Sequence, residues 1–196
     1  GFGLDQFVPL HQPLPYTVRF ENPESASGHV AEIRIVSQLD DDLDERSFRL
    51  GDLRMGDITV TIPEDLGAFT GDFDFTSQLG FVLRVNAGVD VESRTATWLL
   101  QAIDPDTGEL LQDRTRGLLP PDDSSQRGEG FAAYTIKPYQ DRPTGTELAA
   151  QARVVFNTAP PKDTQQIRHV LDAVAPSTEV SVTPLTGSPG NLEVRW

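Results

Sequence analysis

The chain has 196 residues, no cysteine and a formal net charge of −14. The length suits one large β domain, or one domain with part of a neighbour. The missing cysteines exclude disulfides and thiolate metal sites, and the negative charge argues against nucleic acid or an anionic membrane surface as partner, since both attract basic patches.

Period-two alternation of apolar and polar residues dominates, as half-buried strands require. Leu14, Tyr16, Val18 and Phe20 share one face. Ala31, Ile33 and Ile35 follow, then Ile58, Val60 and Ile62, then Leu79, Phe81, Leu83 and Val85. Further stripes are Ala96, Trp98, Leu100 and Ala102; Ala132, Tyr134 and Ile136; and the longest, Leu148, Ala150, Ala152, Val154 and Phe156. Turn chemistry separates them at Asn22-Pro23, Asp104-Pro105-Asp106-Thr107-Gly108, Pro120-Pro121 and Arg142-Pro143-Thr144-Gly145. The stretch from Thr107 to Gly128 is long for a hairpin and reads as a functional loop or an excursion over the sandwich edge. Ile167, Val170, Leu171 and Val174 have helical spacing, while the prolines on either side favour an extended linker. No apolar run approaches the roughly 18 residues of a membrane span, so no membrane insertion is expected.

This pattern predicts an all-β, immunoglobulin-like sandwich of about seven to ten strands. Its expected bounds are 11–172, after a leading segment 1–10. Residues 173–196 read as a linker and a β-hairpin turning at Thr186-Gly187-Ser188-Pro189-Gly190, either docked on the sandwich or opening a following module.

Several stretches carry a family likeness: Leu14 to Pro23, Glu32 to Ile35 with Gln38-Leu39-Asp40, Ile103 to Glu109, Gly117 to Pro121, Arg127 to Phe131, Pro143 to Glu147, and Ala150 to Asn157. Together, over about residues 10–182, they resemble the "conserved repeat" immunoglobulin-like modules of large bacterial exported and surface proteins. The resemblance implies an extracellular or cell-surface location, a spacer, adhesive or ligand-binding role, neighbouring domains of the same polypeptide as partners, and no established catalytic activity.

The residues themselves offer little for catalysis. His11, His29 and His169 fall in a leading segment, a turn and a linker, with no nucleophile or zinc motif around them. Calcium is the better expectation, because a hard cation wants several carboxylate and carbonyl oxygens that loops can supply. Three sets qualify: Asp40, Asp42 and Asp44 within an acidic run; Asp104, Asp106 and Glu109 in a Pro/Gly turn, with Asp113 nearby; and Glu21 and Asn22 with Asp172 at the module boundary. None matches a helical calcium-binding loop, and each also fits a solvated acidic loop. A glycan or other surface ligand is the alternative partner, as for a carbohydrate-binding module on a secreted enzyme. It would need exposed aromatic platforms, for which Trp98, Tyr134, Tyr139 and Trp196 are the choices. Trp98 and Tyr134 lie in apolar stripes, which leaves Tyr139, beside Pro138 in a loop, as the free aromatic. A covalent isopeptide from Lys137 to an Asn or Asp would require a buried carboxylic acid beside the pair.

Overall fold

The computed structural model describes residues 1, 3, 6–174, 180–184 and 192–195. In chain order the strands are β1 (Phe7–Pro9), β2 (Leu14–Glu21), β3 (Glu32–Gln38), β4 (Leu43–Met55), β5 (Ile58–Val60) and β6 (Ala68–Asp74). A four-residue helix, α1 (Thr76–Leu79), precedes β7 (Val82–Asp90), β8 (Thr95–Ile103), β9 (Glu129–Pro138), β10 (Glu147–Ala150) and β11 (Arg153–Phe156). The rest are β12 (Lys162–Asp163), β13 (Ile167–Asp172), β14 (Ser181–Pro184) and β15 (Leu192–Arg195).

Two sheets face each other. Sheet I has the order β2-β9-β4-β5, and sheet II the order β12-β11-β3-β8-β7-β6. Consecutive strands repeatedly change sheets, β2 to β3, β3 to β4, β5 to β6 and β8 to β9. This crossing pattern makes the protein an immunoglobulin-like sandwich. The inward stripes are those the alternation predicts. Tyr16, Val18 and Phe20 are buried on β2, Ile33 and Ile35 on β3, Leu83 and Val85 on β7, and Trp98 and Leu100 on β8. Tyr134 stacks on Tyr16 at 5.2 Å and on Phe48 at 5.3 Å, and meets Trp98 across the core at 5.6 Å.

A third sheet, β1-β13-β10, covers one side. β1 lies parallel to β13, with Phe7 opposite Val170 and Pro9 opposite Asp172. The leading segment therefore contributes to the sandwich: Val8 and Leu10 are both buried. β14 and β15 form a separate two-stranded sheet, and the expected turn at 186–190 lies outside the described residues.

Three expectations need correction, and one strand was not foreseen. Residues 167–172 form a strand, neither helix nor linker, because β13 finds backbone partners on both sides, β1 and β10. Leu79 ends α1 and is exposed, so its stripe begins at Phe81. The long stripe from Leu148 to Phe156 is two strands in different sheets. They part at Gln151 and Ala152, whose backbone groups bond instead to Ser37 and Thr164 side chains. β4 went unpredicted because its pairing with β9 slips between Asp44 and Arg49 and between Leu50 and Leu53, which interrupts the alternation. The 104–128 connection resolves as the excursion: Leu111, Leu118 and Leu119 are buried, and Val30 and Leu119 form a bridge.

Removing residues 1–10 strips Val8 and Leu10 from the core and bares one edge of β13. At about 2 kcal/mol for each buried aliphatic side chain, the truncated protein should lose about 4 kcal/mol of stability, measurable by urea denaturation followed through Trp98 fluorescence.

Candidate functional site

The acidic run 40–45 is organised around a residue the sequence reading missed. Arg94 sits in the β7–β8 turn with a left-handed backbone (φ 53°) and is drawn inward, its side chain 21% exposed. Its Nη2 donates to the carbonyls of Asp40 (2.6 Å) and Leu43 (2.8 Å), and its Nη1 to Glu45 Oε2 (2.6 Å). Tyr139 donates its hydroxyl to the same Glu45 oxygen at 2.7 Å. The Tyr139 ring lies beneath the guanidinium of Arg142, 5.2 Å from its centroid, and Arg142 Nε donates to Asp42 Oδ1 at 2.5 Å. One cation thus ties the β7–β8 turn to the entry of β4, while Tyr139 and Arg142 tie in the loop after β9.

This network uses the groups expected to bind ligand. Asp40 accepts from the Ala149 and Asp42 N–H groups, Asp42 from Arg142, and Asp44 from the Arg46 N–H. The three carboxylates have separate partners and do not converge. Tyr139 is half-buried within the network and is not a free platform. The Tyr139 hydroxyl, foremost, and a backbone N–H hold the Glu45 carboxyl below the usual carboxylate range; the Arg94 and Arg46 charges add to this and burial opposes it.

The other two sets are also separate. Asp104 Oδ1 accepts from the N–H groups of Asp106 (2.9 Å) and Thr107 (3.2 Å), an Asx turn that leaves Asp106 and Glu109 exposed. Asp113 turns to Thr115 and Arg116, and the Thr115 hydroxyl is the main cause that lowers its pKa to about 2. Asn22 is buried, its side-chain amide donating to the carbonyls of Gly28 and Leu119. Glu21 ends β2 and Asn22 follows it, whereas Asp172 pairs with Pro9 ahead of the strand's start. That separation is about 25 Å along an extended strand. Among the described residues no three His, Cys, Asp or Glu side chains are grouped to hold a metal ion.

The remaining candidates fall into place. Trp98 and Tyr134 are core residues, and Trp196 lies outside the described residues. Lys137 is exposed, opposite a part-exposed Asp44 on β4, so that pair lacks the buried carboxylic acid an isopeptide requires. His11 contacts Gln140 at the surface. His169 is on β13 with its ring 6.0 Å from that of Tyr16; burial, then the N-terminal charge, lowers its pKa. Among the described residues no helix is long and apolar enough to cross a membrane.

No family model matches this chain, and no curated protein matches it. Among solved structures, domains D2 and D3 of the major pilin SpaD from Corynebacterium diphtheriae are similar at 15% identity and a TM-score of 0.46, over 96% of this chain. This chain spans 55% of that one. A collagen-binding domain from a Staphylococcus aureus adhesin is similar at 12% identity and a TM-score of 0.35, over 80% of this chain and 85% of that one. AvmM, which catalyses macrocyclization in alchivemycin A biosynthesis, is similar at 13% identity and a TM-score of 0.39, over 90% of this chain and 88% of that one. Likeness at this level says nothing of function, and the fold stands on the strand order above.

Replacing Arg94 with alanine leaves Glu45 buried without its cation and should cost about 3 kcal/mol, read by chemical denaturation. Because the folded pKa of Glu45 lies below its unfolded value, its contribution is present above the unfolded pKa, about 4.3. It is lost as pH falls through the folded value. Glu45→Gln should therefore flatten the acid limb of the stability profile, seen as a smaller loss of melting temperature from pH 6 to pH 3. The calcium expectation is read from the melting temperature in millimolar calcium and in excess chelator: a cation bound only by the native state raises it in calcium, and an unmoved value would sink the expectation.

Proposed function

We propose that this chain is a non-catalytic structural and adhesive module of an extracellular, multidomain bacterial surface protein. The observation that carries the reading is the parallel pairing of β1 with β13. Parallel neighbours run the same way, so the polypeptide enters the sandwich at one end of this pair and leaves it at the other. This geometry suits modules strung end to end, with β14 and β15 following the exit. The sequence resemblance to bacterial conserved-repeat modules supports the same reading and supplies the expected cell-surface location.

Small-angle scattering on concatemers of one, two and three copies tests the arrangement. Maximum dimension should rise by about 35 Å per copy, roughly the length of a ten-residue strand. A compact particle whose maximum dimension is independent of copy number would overturn it. Antibody labelling of intact source cells tests the location, and labelling only after lysis would overturn that part.

A further inference from the structure

The edges of the two sheets part at one end of β2, leaving a cleft of about 530 Å³ between β2 on one side and β11 with β12 on the other. Its floor is apolar: Phe20 and Phe156 meet edge-on at 6.2 Å beside buried Val154. Its rim carries Arg19, Arg114 and Lys162, all exposed and none in an ion pair among the described residues. Of the acids lining it, Asp163 is taken by Arg153, which leaves Glu21. In a chain of net charge −14, this local excess of unpaired cations stands out.

The backbone of β2 is also available there. Among the described residues β2 pairs with β9 alone. Asn22, just past β2, gives both backbone groups to the β9 side, its N–H to Gly128 O at 2.9 Å and its carbonyl to Asp122 N–H at 2.8 Å. Antiparallel ladders alternate, so the groups of Phe20 also face β9, while the N–H and C=O of Arg19 and Glu21 point away, toward the cleft. The Arg114 side of the rim is held in place: the His29 N–H bonds to Arg114 O at 2.9 Å. Gly28 permits that approach, because a Cβ there would lie 2.9 Å from the same oxygen.

We propose that this cleft docks an extended acidic peptide segment, which adds as a strand to β2 at Arg19 and Glu21, seats an apolar side chain on Phe20 and Phe156, and sets carboxylates against Arg114 and Lys162. Edge backbone gives such a mode its affinity, and the alternate side chains give its selectivity. The proposal rests on the adhesive-module reading only for the origin of the segment, a neighbouring polypeptide.

The test is calorimetric titration of the full chain at physiological salt with an eight-residue peptide alternating aspartate and valine. The same peptide with lysine for aspartate, and one with proline for two of the valines, serve as comparisons. The overall field of the protein favours the lysine peptide, so a preference for the aspartate peptide reports the cleft alone. We expect that preference to be at least tenfold, to be abolished in the Arg114→Glu, Lys162→Glu double variant, and proline to weaken binding at least tenfold. Both replaced residues are exposed, and an unchanged melting temperature confirms the fold of the variant. Absence of binding at millimolar peptide, equal or tighter binding of the lysine peptide, or indifference to proline would each overturn the proposal. So would concentration-dependent dimerisation that blocks the peptide, which would assign the cleft to a second copy. A failed titration leaves the concatemer result untouched, so the two readings fail separately.

Discussion

Everything in the sandwich is registered on four aromatic rings. Tyr16 and Tyr134 face each other across the β2–β9 ladder, Phe48 brings in β4, and Trp98 brings in the centre of sheet II. A slip of one residue in any of these strands would turn its ring out of the core. The cluster is not purely apolar: Tyr16 Oη and Trp98 Nε1 are buried without a hydrogen-bond partner. Burial raises the pKa of both tyrosines, Tyr134 to about 12. The large contact area of the rings offsets the desolvation of these few polar atoms.

Charge is managed separately, at the loops. A chain this acidic needs a way to let carboxylates approach each other, and at the entry to β4 it uses guanidinium groups. Arg94 satisfies two carbonyls and Glu45, and Arg142 satisfies Asp42 while covering Tyr139. Arginine suits this role because its planar fork can serve several acceptors at once and remains charged when partly buried. The same arrangement explains why the carboxylates of an acidic loop that looks like a cation site in one dimension turn to separate partners in three.

Most of the fold was legible because a half-buried strand writes its inward face into every second residue, as β2, β3, β8 and β9 do. Legibility failed where the determining contact is remote or the period breaks. β13 carries helix-compatible spacing, and only its two neighbouring strands decide otherwise. β4 hides behind two register shifts. Arg94 belongs to an ordinary-looking turn, and its partners come from residues 40–45 and 139, about fifty positions away on either side. Tyr139 reads as a loop aromatic beside proline until Glu45 and two arginines close on it. The cationic cleft was invisible for the same reason, since Arg19, Arg114 and Lys162 come from β2, the connection before β9, and β12, and converge only in the fold.

The pairing of Phe7 with Val170 also constrains how the molecule comes into being. β1 leaves the ribosome early, but its partner strand follows only after nearly the whole domain has been made. Closing so long a loop is entropically costly and places this contact among the most non-local in the fold. The nascent chain must therefore hold β1 unpaired until β13 has been made, so the sandwich's own first strand is among the last of its strands to find a partner.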